Sequence, residues 1–338
     1  MDSLQTRRNL WIVAAVATSL SATWLWLAQP RSLLPTGPTE KLAIAALALP
    51  GAGLFYVAQE KGFFREKGLD VDLQKHTVGK LALDSLFQGD AALAIAGDTP
   101  LVFSILGGSK LDILATVYRP NGGISITVLK DRVRKPGDLR GKRLGVTFIS
   151  SGQFVADTFL LVNGIAQADV SLIDMKQSDM VEALVDGKID AACLWQPYLA
   201  GAQTRLGDRG ITFPNNGLYT FRLSLVAKHG YAVQHRDQVR KVLAALKQAQ
   251  VFTEENPADA LRIMSKATAI TEATFKSFFD PADYAIGLEQ GLLITLEDQT
   301  RWAIKHNFVK ADKMPNFLEY INSEGLGVVS PESARITR

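Results

Sequence analysis

From Lys41 onward, apolar runs alternate with amphipathic segments, the pattern that parallel βα units leave in a sequence. Apolar runs at 41–49 (KLAIAALAL), 69–74 (LDVDLQ), 91–97 (AALAIAG), 111–118 (LDILATVY) and 123–129 (GISITVL) predict strands. Between them, 53–68 (GLFYVAQEKGFFREKG) predicts an amphipathic helix stopped by Gly68, and 81–87 predicts a second that ends at Gly89. A third opens at TPLVFSILGG, with Thr99 as N-cap and Pro100 at the first helical position, where a missing N–H costs nothing. A second set begins at 142–148 (KRLGVTF). It continues as a helix over 152–163, a strand at 170–175 (VSLIDM), a helix over 179–185 and a strand at 188–194 (KIDAACL). A second α/β lobe is the simplest account. Beyond residue 228 the chain turns mainly helical: Val239, Val242, Leu243, Leu246 and Ala249 form one apolar stripe, and Asn256 and Pro257 cap and open the next helix. Two further helices are expected over 271–279 and 288–306.

Two stretches echo each other. LFQGDAALAIAGDTP (86–100) and LVDGKIDAACLWQP (184–197) both run from a helix end through Gly and an Ala-rich strand to polar residues and a Pro. In parallel α/β sheets ligands sit outside the carboxyl ends of the strands. The echo therefore places Gly97 to Thr99 and Trp195 to Gln196 at equivalent edges of two lobes, with a ligand in the cleft if those edges face each other.

The N-terminus departs from this pattern. Arg7 and Arg8 precede Leu10 to Ala28, nineteen residues without a charge, so export is expected, through a cleaved signal peptide or an uncleaved membrane anchor. A twin-arginine route is a looser match. The proline-bearing stretch 29–40 reads as a linker, which leaves about 300 residues for the fold.

Composition excludes more than it identifies. The chain is 47% hydrophobic and 21% charged, as in an ordinary globular protein, and a net charge of +3 is too weak to imply nucleic acid. PGAGLFY (50–56) lacks the third glycine of a dinucleotide fingerprint, and no phosphate-binding P-loop or G-x-S-x-G occurs. The four histidines, His76, His229, His235 and His306, have no metal-ligand spacing, and one cysteine allows neither an intrachain disulfide nor a thiolate cluster. No metal, cofactor or catalytic group is expected.

Cys193, within the apolar run AACL, reads as a small core residue rather than a nucleophile. Trp195, just past that strand and near Gln196 and Tyr198, suits either the core or a ligand wall. Ser150, Ser151, Gly152 and Gln153 begin a helix, where they serve either as plain caps or as an anion site. Arg119, with Asn121 beside it, is either a solvated surface cation or a counter-charge for an acidic ligand.

Taken together, VAQEKGFFREKGLDVDL (57–73), AIAGDTP (94–100), GGSKLDILATV (107–117), PGDLRGKRLGV (136–146) and LVDGKIDAACLWQPYLAGA (184–202) resemble the substrate-binding proteins of ABC importers. The group is that of the nitrate-, taurine- and alkanesulfonate-binding proteins. The resemblance implies an α/β, two-lobed periplasmic-binding-protein-like fold of type II, with a ligand cleft between the lobes and a hydrophobic segment ahead of it. Lobe 1 would be 41–126 with 228–338, lobe 2 would be 127–227, and 1–40 would be the export segment and linker. It implies a non-catalytic protein outside the cytoplasmic membrane, membrane contact through the N-terminal segment at residues 10–28, and a permease with its ATPase as partners. Ligand contacts would come from Gly53, Phe55 and Tyr56, from Asp98 and Thr99, from the SSGQF turn and from Trp195, Gln196 and Tyr198. Gln196 stands where many relatives have Glu, which favours an anion; Asp98, if it faced the cleft, would favour a ligand bearing an amine. A tethered sensor and a relative of thiamine-pyrimidine synthesis are the alternatives, the latter weakened by the lack of a cysteine cluster.

Overall fold

A computed structural model of the chain describes residues 39–337 except 121, 216 and 312, so the apolar segment expected over 10–28 lies outside the described residues. Among the described residues, no helix is long and apolar enough to cross a membrane. The run at 41–49 forms β1 (Glu40–Leu47), which pairs in parallel along its whole length with β2 (Leu69–His76) and at Ile44 and Ala45 with β3 (Leu93–Gly97). With β4 (Leu111–Tyr118) and β10 (Leu223–Lys228) they make a sheet of order β2-β1-β3-β10-β4. The apolar residues of β3, β4 and β10 are buried, as strands covered on both faces require, while Val71 and Leu73 of the edge strand β2 are only partly so.

The second sheet has the order β7-β6-β8-β5-β9, from β5 (Ile124–Leu129), β6 (Arg143–Val146), β7 (Ser171–Asp174), β8 (Ala191–Trp195) and β9 (Gly210–Phe213). Neither sheet is wholly parallel, contrary to the alternating pattern. β10 runs antiparallel between β3 and β4, and β5 runs antiparallel between β8 and β9. Each is the first strand laid down after the chain changes sheets, at 119–123 and again at 214–222. The plans match strand for strand, and the echoing segments supply β3 and β8 at equivalent positions.

The helix expected over 53–68 is two pieces, α1 (Gly53–Glu60) and a turn at Phe63–Glu66, because Gly62 takes φ +79 between them. The next helices are α2 (Gly79–Gln88), α3 (Asp98–Leu106), α4 (Ser151–Val162), α5 (Gln177–Val185) and α6 (Tyr198–Leu206). Thr99 is not the cap of α3; Gly97 holds that place with extended backbone, and Thr99 sits in the first turn. Ser150 does cap α4, its hydroxyl accepting from Gly152 N–H.

The apolar stripe Val239, Val242, Leu243, Leu246 and Ala249 lies buried on α7 (Arg236–Glu255), which packs on α1. At about 1.5–3 kcal/mol for each buried Val or Leu, this stripe is a main attachment of the helical region to the first sheet. α8 (Pro257–Thr268) follows, and α9 (Gln290–Lys305) spans the two halves. Its Trp302 meets Phe103 of α3 edge-on at 6.2 Å and Phe154 of α4 at 5.5 Å, and the indole N–H donates to Asp157 at 2.9 Å. Burial pushes the Asp157 carboxyl above its usual range, while the indole hydrogen bond and His306 pull it back.

Candidate functional site

A cavity of about 260 Å³ opens between the carboxyl ends of the two sheets, where the two crossings and the strand-to-helix turns converge. From the first sheet, the turn after β1 contributes Leu49, Pro50 and Gly51, the turn after β2 contributes Thr77 to Lys80, and Gly97, Pro100 and Tyr118 complete that wall. From the second come Ile124, Thr147, Ser150, Ser151, Trp195 and Gln196; Phe221 and Leu223 close the floor on the return crossing. Gly51 is required there, since a Cβ would come within 2.2 Å of Leu223 Cδ1. Among the described residues no acidic side chain lines the cavity, and the one cation, Lys80, is paired with Asp84 at 2.6 Å.

The wall is apolar, but helices begin at it from both sides. No side chain caps α2 at Val78, so the first N–H groups of that ten-residue helix are left for solvent or a ligand, and α4 points its own N-terminus at the same space. The serine hydroxyls of that turn face inward. Ser150 Oγ donates to the Thr147 carbonyl at 2.6 Å. Thr99 Oγ1 donates to Gln299 Oε1 at 2.6 Å, so the 2.8 Å contact between Ser151 and Thr99 is donated by Ser151. What this turn offers an anion is therefore backbone N–H and dipole rather than serine protons.

Beneath this floor lies a buried polar cluster. Asp98 is fully buried; one carboxylate oxygen accepts from Tyr219 O–H at 2.9 Å and from Arg222 N–H at 3.0 Å, and the other has no hydrogen-bond partner among the described residues. Burial pushes its carboxyl up to about 7, although the Arg222 charge and these hydrogen bonds pull the other way. Asp98 thus turns to the return crossing and not to the cavity.

Of the residues singled out from sequence, Ser150, Ser151, Trp195 and Gln196 line the cavity. Gly152 lies just behind, with a Cβ there coming within 3.2 Å of the Trp195 ring, so its lack of a side chain lets the indole lie on the start of α4. Gln153 accepts from Ile149 N–H at 2.7 Å and shapes the turn. The other residues singled out from sequence do not line this cavity. Gly53, Phe55 and Tyr56 are inside α1 and face the core: Gly53 is wedged against Met264 and Tyr284, Phe55 is fully buried, and the Tyr56 hydroxyl donates to the Leu47 carbonyl. Asp98 and Thr99 are under the floor. Arg119 pairs with Glu289 beside a separate hollow that Thr116 and Arg222 line. Tyr198 packs on the cluster that contains Met180 and Leu199, below the second sheet. Asn121 lies outside the described residues.

Sequence reasoning missed Leu49, Gly51, Val78 to Lys80, Tyr118, Phe221 and Leu223. The turn after β2 had the same signal as the turn after β6, a strand end followed by Gly opening a helix, and could have been found by it.

Cys193 does not line the cavity: its sulfur is buried and donates to the Gly152 carbonyl at 3.1 Å, and burial pushes the thiol far above its usual range. Cys193→Ser keeps that donor and is expected to leave ligand affinity within about twofold by titration calorimetry; a tenfold loss would place the sulfur at the site.

The sequence model of the family described as NMT1/THI5 like matches residues 50–260. A Brucella abortus protein described as a binding protein is 24% identical over 230 residues, 67% of this chain and 71% of its own length. The taurine-binding periplasmic protein of Escherichia coli is 29% identical over 142 residues, 42% of this chain and 44% of its own. Among solved structures, the periplasmic aliphatic sulphonate binding protein of Escherichia coli superposes with a TM-score of 0.73 at 18% identity, covering 81% of this chain and 95% of that one. The two-lobed periplasmic-binding-protein-like fold is thereby shown.

Proposed function

Because the chain belongs to the NMT1/THI5-like family, we propose that it is the solute-binding component of an ABC importer, capturing a sulfonate-type organic anion without catalysis. The observation that carries this reading is the cavity itself: apolar walls from both sheets, two helix N-termini at its edge and no acidic side chain among those that line it. The lobes would be divided at the crossings, 119–123 and 214–222, rather than inside β5 and β10. A ligand touching both lobes favours their closed arrangement by its differential contacts, and the closed form would dock on a permease with its ATPase. The protein would work on the periplasmic side of the membrane, the location printed for the taurine- and sulfonate-binding relatives and consistent with the charge-flanked apolar segment at 10–28.

The geometry also orders the candidate ligands. Taurine carries an ammonium group, and Asp98, the carboxylate that could have received it, is buried against Tyr219 and Arg222. Nitrate would leave Leu49, Tyr118, Trp195 and Phe221 uncovered. Titration calorimetry is expected to show butanesulfonate or benzenesulfonate binding at least about tenfold tighter than taurine or nitrate, a difference of roughly 1.4 kcal/mol. Tighter binding of taurine would reverse the assignment, and absence of binding by every anion tested would remove it.

A further inference from the structure

Ile149 has φ +52, a left-handed backbone that a β-branched side chain strongly disfavours. Hydrogen bonds on both sides hold it there. Ser150 Oγ donates to the Thr147 carbonyl at 2.6 Å, Gln153 accepts from Ile149 N–H at 2.7 Å, and Asp174 accepts from Phe148 N–H at 2.9 Å. Thr147 is itself tied down by a 2.9 Å bond to the Met175 carbonyl. What this braced turn presents to solvent is apolar: Phe148 is 41% exposed and Ile149 53%. Both lie between Thr147 and Ser150, which line the cavity.

The turn after β2 has the same character. Val78 is 44% exposed and Leu81 45%, and they flank Gly79 and Lys80, which line the cavity from the first sheet. Exposed large apolar residues scattered singly are ordinary. These are paired, on two turns that enter one cavity from opposite sheets, and one pair is kept in place against backbone strain.

We propose that Phe148 and Ile149, together with Val78 and Leu81, form an apolar lip that covers the hydrocarbon end of the bound anion and sets the size it prefers. This rests on the solute-binding reading above and adds what discriminates among solutes. The head group is held by the helix N-termini, the near part of the body by Trp195 and Phe221, and whatever extends past them meets the lip. The occupant is the ligand's own apolar body, since each lip residue is continuous in the chain with residues that line the cavity. An anion of sulfonate type with a medium-length alkyl or an aryl body fits this arrangement; one with a short or polar body leaves the lip in water.

The test is titration calorimetry of ethanesulfonate, butanesulfonate, hexanesulfonate and octanesulfonate against the unaltered protein, Ile149→Asn, and the double variant Phe148→Ser with Ile149→Asn. In the unaltered protein, affinity is expected to rise about fourfold for each methylene that the lip buries. From butanesulfonate to octanesulfonate that amounts to roughly 250-fold, and in the double variant it falls to less than about tenfold. Asn tolerates a left-handed backbone, so Ile149→Asn is expected to melt no lower than the unaltered protein while losing part of the same gain. An unchanged dependence on chain length in the double variant overturns the lip and leaves the solute reading standing. Failure of the unaltered protein to bind any of the four overturns both.

Discussion

Trp195→Ala is expected to weaken sulfonate capture by roughly 30-fold or more, the ~2 kcal/mol of an aromatic anchor at the centre of a binding surface. Trp195 ends β8, is only partly buried, and lies on the N-terminus of α4, where Gly152 lets the ring approach. In the proposed mode it would cover the ligand body and exclude water from the helix end that would hold the head group, so its removal would weaken both contacts. The fold has less at stake, since the second core holds together through Phe154, Phe159 and Leu160 without it. Calorimetry with a thermal melt on the same sample checks both halves. An affinity within about threefold of the unaltered protein would return Trp195 to the core, and a collapse of the melting temperature would do the same.

Asp98 gives the second large effect, on stability instead of binding. Its carboxyl titrates near 3.8 when unfolded and is pushed up to about 7 in the fold. Between those values the folded chain holds a proton that the unfolded chain has released, so stability falls as pH rises through this window and levels off above about 7. Three pKa units correspond to at most about 4 kcal/mol, less whatever relaxation around Arg222 and Tyr219 recovers. Asp98→Asn places a neutral amide in the same space and is expected to remove that slope. Urea unfolding midpoints at pH 5 and pH 8 for both proteins isolate the effect, because every other titrating group is common to them. Equal slopes would mean that Asp98 is not the group that titrates.

Much of the architecture was legible because a strand or helix records its burial locally. β4 was delimited to the residue, the stripe on α7 was read from five positions, and the echo of 86–100 with 184–197 revealed the shared plan of two sheets. The antiparallel insertion of β5 and β10 was not legible, because strand direction leaves no mark on composition and both are as buried as their parallel neighbours. The site divides in the same way. From the turns after β6 and β8, Ser150, Ser151, Trp195 and Gln196 line the cavity. After β1 the cavity lining comes from Leu49, Pro50 and Gly51, while Gly53 to Tyr56 have already entered α1 and face the core.

The sequence by itself determined two α/β units on one plan and a core role for Cys193, since periodicity and residue type depend on neighbours a few positions away. Only the tertiary structure decided that Asp98 is buried, that Arg119 turns to Glu289, and that the turns carrying Val78 and Ser150 enter one cavity. Those outcomes depend on partners far along the chain. Tyr219 and Arg222 stand 121 and 124 residues from Asp98, and Glu289 stands 170 from Arg119. Whether a polar side chain meets a ligand or a buried partner is set by which distant segment the fold brings against it, and no local pattern carries that information.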